Sequence, residues 1–358
     1  FDEVKEVLAK GPTKSSVILR PGLQVDLRFV EPASFGAALN YFTGSKAHNI
    51  ALRRLGQQKG LKINEYGVFE GERQMGGAVE EEVYRAVGLA WIPPELREDR
   101  GEIEAARDGR LPQLVEYQDL RGDLHSHTTE SDGKSTIEEM AIGARARGFE
   151  YLAITEHSKR LTVAGGLDED ELANQVDEID LINENLEGFT LLKGIEVDIL
   201  EDGSLDLPDS ILRRLDLVIG SVHTHFNLSG EKQTERILRA MDRPCFTIVG
   251  HLTGRLLLQR NGYEVDVPRI IRHAKERGCF IELNSHPQRL DLSDIYCQMA
   301  RGEGVLIGVD SDAHTMNDFE VLRFGIGQAR RGWLEKKDVL NTRPLNLLRP
   351  LLAKTMGK

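Results

Sequence analysis

Cysteine is scarce in this chain. Its 358 residues include three, Cys245, Cys279 and Cys297, too few and too scattered for a disulfide framework. Cys245 and Cys279 sit in apolar, strand-like stretches, so both are expected as buried thiols of a reducing, cytoplasmic protein. Long apolar runs are also missing. None approaches the ~18 residues that a membrane span needs, so no membrane partner is expected. No signal-peptide pattern opens the chain. It begins at Phe1 rather than Met, and further residues are expected upstream in the parent protein. Repeats and low-complexity tracts are absent. With 35 Gly and 12 Pro, collagen-like and largely disordered classes are excluded.

What is present is an ordinary globular mixture, 40% hydrophobic and 29% charged, long enough for about two domains at ~150 residues each. The net charge of −12 is unevenly spread. Residues 1–92 balance 12 Lys/Arg against 11 Asp/Glu, whereas residues 93–358 carry 34 against 47. An acidic surface alone repels nucleic acid. Bound divalent metals reverse that argument, because they become the largest local charges in a site.

Composition breaks at 93–118. Pro93-Pro94 opens the stretch, Glu95 to Arg110 is dense in charge, and Pro112 closes it, so a linker is expected there. Beyond it, apolar strand candidates recur at 120–124, 151–155, 190–197, 217–222, 247–250, 279–283 and 305–309. Helical patterns lie between most of them. Ser135-Thr136-Ile137-Glu138 reads as a capping-box start, and Asp168 with an acidic first turn opens a helix over 167–185. Further helices are expected at 237–241, 267–276, 295–300 and 319–331. Seven strands alternating with helices imply an α/β fold of parallel strands in a barrel-like arrangement.

Six of the ten histidines end strand candidates or follow them directly: His125 and His127 in Asp-Leu-His-Ser-His, His157 in Thr-Glu-His, His223 in Ser-Val-His, His251 in Val-Gly-His, and His314 in Asp312-Ala-His. One such histidine is ordinarily a satisfied polar residue. Six of them, in a barrel whose strand ends converge on one face, would meet. Glu196 ends its own strand as a natural bridging carboxylate, and Asp132 follows the first pair in the same loop. With Asp312, nine candidate ligands are enough for three ions. Imidazole with carboxylate suits zinc, manganese or iron. Arg255, Arg289, Lys159 and Arg160 follow strand ends and are candidates to hold substrate phosphates, a solvated surface role being the alternative. Asn284 is a hydrogen-bonding candidate or a cap. His225 and His286 lie near the site face, and His273 is expected to be structural.

The order and spacing of His125-Ser-His127, Asp132, His157, Glu196, His223, His251 and Asp312-Ala-His314 resemble the polymerase and histidinol phosphatase (PHP) domain. The resemblance covers about residues 119–340 and leaves 341–358 as a tail. It implies a distorted seven-stranded (βα) TIM-like barrel with a trinuclear metal cluster of Mn2+ or Zn2+. One metal would take His125, His127, Glu196 and Asp312. A second would share Glu196 and add His223 and His251. The third would take Asp132, His157 and His314, with Asp132 standing where several members carry His. Clustered divalent metals clamp a phosphate and activate water, so no Ser or Cys nucleophile is needed. Glu196, Asp312 and His223 are then the expected catalytic residues.

Residues 1–92 have a different character. Leu23–Phe29 alternates like an amphipathic strand and carries Asp26. Tyr41-Phe-Thr-Gly44-Ser precedes a run with Lys46, His48, Asn49, Arg53, Arg54, Lys59 and Lys62, and residues 44–62 hold five Lys/Arg and no acid. That is a basic helix after a turn, suited to a phosphate backbone. The segment resembles the end of the palm and the thumb of a family X DNA polymerase, a small α+β unit. The resemblance implies that Asp26 is the third metal-binding carboxylate, for Mg2+ or Mn2+ at a completed polymerase site. It also implies that Tyr41 and Gly44 lie beside the incoming nucleotide, that Asn49 contacts it, and that Arg53 and Arg54 meet DNA. The family's Gly-Ser motif and Asp-x-Asp pair are absent here, so dNTP binding is expected only of a complete polymerase.

Fusion of the two resemblances is the layout of bacterial family X polymerases. The implied function is DNA repair by a metal-dependent 3′-5′ exonuclease acting on 3′ ends and gapped duplexes, with AP-endonuclease and 3′-phosphatase activities as further candidates. Two alternatives stand beside it, a small-molecule phosphomonoesterase of histidinol-phosphatase type and a non-catalytic PHP scaffold. The basic segment argues against the first, and the filled ligand set argues against the second.

Overall fold

The computed structural model describes all residues, Phe1–Lys358. The chain divides into two compact units, Phe1–Leu111 and Pro112–Lys358. No helix is long and apolar enough to cross a membrane.

The first unit begins with an antiparallel sheet of β1 (Val4–Lys10), β2 (Lys14–Leu19) and β3 (Gln24–Arg28). The alternation around Asp26 predicts one covered face, but every residue of β3 is exposed within this unit. Helices α1 (Phe35–Thr43) and α2 (Lys46–Gln58) follow, then a small antiparallel sheet of β4 (Lys62–Asn64), β5 (Gly67–Glu70) and β6 (Arg73–Gly76), then α3 (Glu80–Val87) and α4 (Glu102–Arg107). Ala37, Val68 and Val83 form the small core.

Residues 93–118 are not a linker. Residues 93–111 belong to the first unit, held there by two buried polar contacts. Arg97 is buried and grips Glu80 through Nη1 at 2.6 Å and Nη2 at 3.0 Å. Glu102 is buried beneath His48, whose Nδ1 lies 2.6 Å from its carboxylate, and it also accepts the N–H groups of Asp99 and Arg100. From sequence these charges read as a solvated run. Their partners, 17 and 54 residues away, bury them instead. Residues 112–118 belong to the second unit, where the Val115 N–H donates to Leu334 O.

The second unit alternates strands and helices: β7 (Gly122–Asp123), α5 (Ile137–Ala146), β8 (Tyr151–Ile154), α6 (Glu169–Asn183), β9 (Thr190–Lys193), β10 (Glu196–Asp198), α7 (Asp209–Leu212), β11 (Ile219–Ser221), α8 (Gly230–Met241), β12 (Ile248–Val249), α9 (Val267–Arg277), β13 (Phe280–Asn284), α10 (Asp294–Glu303), β14 (Ile307–Asp310), α11 (Leu322–Arg331) and α12 (Leu345–Thr355). All the strands run parallel, and neighbours follow sequence order. β9 and β10 are one strand interrupted at Gly194-Ile195, the first half pairing with β8 and the second with β11. The seven expected strands are therefore present. Bridges His157↔Glu196 and Ser126↔Ala313 join the two sheets and close the ring. Helix starts follow local chemistry. Thr136 and Glu139 close a capping box on α5, one residue later than the sequence suggests, and Asp168 with Glu171 does so on α6.

Closure between β14 and β7 uses side chains in place of a regular ladder. Asp310 accepts the Leu124 N–H at 3.0 Å, and Asp123 accepts the Ser311 N–H at 3.2 Å. Asn341 sits in the seam. Its amide donates to Gly122 O at 2.9 Å and Val309 O at 2.8 Å, and its carbonyl accepts the Val309 N–H at 3.0 Å. Residues 341–358 are thus no free tail: Asn341 is buried in the barrel wall, and α12 buries Leu348 and Leu352 against Leu192, Ile219 and Ile248. Asn341→Leu is expected to cost about 2–4 kcal/mol, because three buried backbone groups lose their partners. Urea unfolding followed by circular dichroism checks this, and a loss below about 1 kcal/mol would show that the seam does not depend on the amide.

Candidate metal centre

The parallel strands all end on one face. His125, His127, His157, Glu196, His223, His251, Asp312 and His314 reach it from β7, β8, β10, β11, β12 and β14 or the loops just after them. His125 and His127 are completely buried, and Glu196 nearly so. Asp132 approaches from the loop before α5. Gly133 beside it must be glycine, since a Cβ there would lie 2.7 Å from the main chain of His127 and Thr128.

Glu196 is central. Its Oε1 lies 2.8 Å from His251 Nε2 and 3.4 Å from His223 Nε2. Its Oε2 lies 2.7 Å from His157 Nδ1, 3.6 Å from His125 Nε2 and 3.7 Å from His127 Nε2. One carboxylate therefore presents its two oxygens to two sets of imidazoles, as a bridging ligand requires. Asp312 Oδ1 lies 3.2 Å from His127 Nε2 and 3.7 Å from His125 Nε2. Asp132 Oδ1 faces His314 Nε2 at 3.2 Å and His157 Nε2 at 3.5 Å. Three groups bring their ligand atoms within 4.8 Å of one another: His125, His127 and Asp312; His157, Glu196 and His223; and His127, Asp132, His157 and His314. All nine residues meet. The grouping differs from the expected one in three respects: Glu196 falls outside the group of His125, His127 and Asp312, His157 takes the place of His251 beside Glu196 and His223, and His127 joins Asp132, His157 and His314; His251 stands on the Oε1 side of Glu196.

The hydrogen bonding shows what these atoms fit. His125 Nε2, both ring nitrogens of His127 and of His223, His157 Nδ1 and Glu196 Oε2 are buried without a hydrogen-bond partner. Buried polar atoms are normally paired. So many lone-pair donors aimed at one another match a cation cluster bound by imidazole and carboxylate. The local charges agree. Burial, with the neighbouring His157 ring, pushes the His127 imidazole down to about 3. Burial opposes charge on His157 and His223, but Glu196 together with Asp132 at His157 and Asp198 at His223 outweighs it and lifts them to about 10 and about 9. Burial also opposes ionisation of Glu196, yet His223, His125 and His157 hold its carboxyl well below the usual range.

Several residues that the sequence analysis does not single out support the ligands. Glu282, fully buried on β13, lies 2.5 Å from His125 Nδ1 and accepts the His251 N–H at 2.6 Å. It thus orients two ligands, the role carboxylates take behind metal-binding histidines. Asp198 stands 3.3 Å from His223 Nδ1. Glu156 accepts the Thr128 N–H at 3.0 Å and the Ser131 hydroxyl, tying down the loop that carries Asp132. The adjacency Glu156-His157 was a usable signal, and nothing local marked Glu282. Asn284 donates to Asp312 Oδ2 at 2.9 Å, so it is more than a cap. His251 and Asp312 both carry positive φ, 20° and 56°, so the backbone is strained at two of the site residues.

The phosphate-binding candidates divide. Arg289 reaches the site, its Nε 3.5 Å from Asp312 Oδ2. Arg255 donates instead to the main-chain carbonyls of Arg289 and Leu290, so it braces a loop. Lys159 pairs with Glu169 at 2.7 Å on the surface. His273 is structural, 3.0 Å from Asp242, and His225 is exposed. All three cysteines are free and buried.

In the first unit Asp26 belongs to none of the metal-capable groups. It is exposed, and hydrogen bonds from Ser16, Gln24 and Lys14 hold its carboxyl down to about 2. Asn49 donates to the carbonyls of Tyr41 and Gly44 at 2.9 and 3.1 Å, satisfying the end of α1, which is a structural use of a residue expected at a nucleotide. Arg53 lies over the Tyr41 ring at 5.1 Å, and Arg54, Lys46, Lys59 and Lys62 are exposed. His48 is buried and is not part of the basic face.

Comparison with known proteins agrees with this division. Residues 38–98 match the DNA polymerase beta thumb, and residues 123–286 match the PHP domain. The chain is 41% identical over 349 residues to the DNA polymerase/3′-5′ exonuclease PolX of Bacillus subtilis, covering 96% of this chain and 60% of that protein. It thus spans less than two thirds of that relative. A probable phosphatase of Thermoanaerobacter is 34% identical over 213 residues, 56% of this chain and 81% of its own length. Among solved structures, histidinol phosphate phosphatase from Lactococcus lactis, complexed with zinc, L-histidinol and phosphate, aligns over 60% of this chain and 94% of its own at 16% identity, with a TM-score of 0.44. A polymerase-type thumb, a PHP barrel and kinship along nearly the entire chain lead to one conclusion: the chain belongs to the PHP family, in the fused arrangement of the bacterial family X DNA polymerases.

Proposed function

We propose that the barrel unit hydrolyses DNA phosphodiesters from 3′ ends as a metal-dependent 3′-5′ exonuclease, the nuclease part of a repair polymerase. The observation that carries this reading is the bridging placement of Glu196 among five imidazoles. Three divalent ions, Mn2+ or Zn2+, would be held by His125, His127, Asp312 and Glu196, by the shared Glu196 with His223, His251 and His157, and by Asp132 with His314 and the shared His127 and His157. Bound there, such ions neutralise phosphate charge and acidify water near neutral pH. The protein's own residues orient the ligands through Glu282, Asp198 and Asn284. Arg289, a guanidinium at the edge of the cluster, is placed to hold a phosphate oxygen. The recessed position of the histidines shields the reacting phosphate from bulk solvent.

The test is digestion of 3′-labelled DNA by the full chain with manganese, beside histidinol phosphate as a competing substrate class. Stepwise shortening from the 3′ end supports the exonuclease. Phosphate release from histidinol phosphate with intact DNA supports instead the phosphomonoesterase reading, which the similarity to probable phosphatases favours. Inertness toward both supports the scaffold.

The first unit is proposed to bind gapped duplex without incorporating dNTP, since Asp26 stands apart from any metal-capable group. Lys46, Arg53, Arg54, Lys59 and Lys62 lie on or just after α2. If they neutralise about four phosphates, affinity should fall about tenfold for each two-fold rise in salt. Arg53→Ala with Arg54→Ala should lower both the affinity and the salt slope, measured by fluorescence anisotropy. Binding indifferent to salt and to both arginines would leave the basic run a solvated face.

A further inference from the structure

The loop after His251 holds a feature that ligand binding does not explain. Leu258 is completely exposed at the loop apex, with φ at 63°. An exposed leucine alone is ordinary. A leucine in the left-handed region is not, because that backbone disfavours a Cβ and suits Gly, Asn or Asp. The surroundings hold the apex rigidly. Leu256 and Arg260 exchange N–H···O bonds of 2.9 and 2.8 Å across the loop base. The Leu257 N–H donates to Gln288 O at 2.6 Å, and the next residue, Arg289, touches Asp312. Arg260 packs its guanidinium over Phe226 at 4.2 Å. The apolar apex thus stands on a hydrogen-bonded loop base that is joined to the loop carrying Arg289, which reaches the metal centre.

We propose that Leu258 is a wedge that parts the terminal base pair of a DNA duplex as its 3′ end enters the centre. This inference rests on the nuclease reading above. His125 and His127 are fully buried while Asp132 and His314 lie at the open edge, so a strand end freed from its partner can reach deeper into the centre than a paired one. Proteins that part stacked bases insert apolar side chains, leucine among them. A fixed leucine at the mouth supplies the insertion without an ordering cost, and Arg289 lies where it can hold the separated strand's phosphate.

The test compares the full chain with Leu258→Asn, which removes the apolar bulk and relaxes the backbone, so loss of folding is not expected. With manganese, excision from a paired 3′ end should fall about tenfold or more, while excision from a single-stranded 3′ tail should stay within about two-fold. Hydrolysis of thymidine 5′-monophosphate p-nitrophenyl ester should not change. A 3′-terminal 2-aminopurine, paired in a duplex, should brighten on binding the unsubstituted chain and stay dark with the variant. Equal loss on paired and single-stranded ends, or no loss on paired ends, overturns the wedge. Failure of the nuclease reading looks different: the unsubstituted chain then leaves both the single strand and the ester uncut. The fluorescence needs no cleavage and still decides the wedge.

Discussion

If the proposed nuclease reading holds, Glu196→Ala should leave a folded barrel that cuts DNA at least about 10³-fold more slowly than the unsubstituted chain, a loss of about 4 kcal/mol of transition-state stabilisation. The size follows from position. Glu196 faces His125, His127 and His157 with one oxygen and His223 and His251 with the other. Removing a ligand shared by two ions weakens both, whereas a change at His314 touches a single group. Manganese retained after gel filtration should therefore fall by more than one ion per chain. Glu196→Gln is the matched control, since it keeps shape but loses charge. Thermal unfolding followed by circular dichroism separates loss of ligation from loss of fold. Full activity in Glu196→Ala would remove the assigned mechanism.

Arg97→Ala should destabilise the first unit by about 3–5 kcal/mol, the cost of leaving one member of a buried ion pair without its partner. Arg97 is completely buried, bonds both oxygens of Glu80, and lies 5.5 and 5.8 Å from the Tyr84 and Trp91 rings. The Trp91 indole also donates to Glu80 at 3.0 Å, so its fluorescence reports the pair directly. Urea unfolding in a Trp333→Phe background, leaving Trp91 as the only tryptophan, measures the loss. A pH dependence goes with it. Burial opposes ionisation of Glu80, but Arg97 and Trp91 hold its carboxyl below the ordinary glutamate range. Glu102 is likewise lowered against burial by His48 and backbone N–H groups. Both groups bind protons more weakly in the folded unit than in the unfolded chain. The stability they contribute is present above about pH 4.5 and is lost as pH falls through their folded values. In Arg97→Ala the Glu80 part of that dependence should disappear.

Much of the barrel was legible because its signals are local. Seven apolar runs separated by amphipathic helices state the strand number, and parallel order follows from the helices between them. The nine expected ligand residues meet because most sit at or just after a strand's carboxyl end, where a barrel gathers them whatever its distortions, while Asp132 comes from the loop after β7 and Glu196 from β10 itself. The side-chain type supplies the chemistry, and the strand end supplies the place. The basic character of residues 44–62 is equally local.

The remaining features depend on partners far along the chain. Glu282 reads from sequence as one more polar residue in a strand. Only packing puts it against His125, 157 residues away. Asn341 looks like the start of a tail until the seam between β7 and β14, 219 residues from one of its acceptors, needs an amide with both a donor and an acceptor. Arg97 and Glu102 read as surface charge, because composition cannot reveal a buried counter-charge. Arg255 and Asn49 went the other way, from ligand candidates to braces for nearby carbonyls. The physical reason is common to all of them. A hydrophobic or ligating residue acts through its own side chain at a place set by local periodicity. A buried polar residue is defined by the group that satisfies it, and that group is chosen only when the chain has closed on itself.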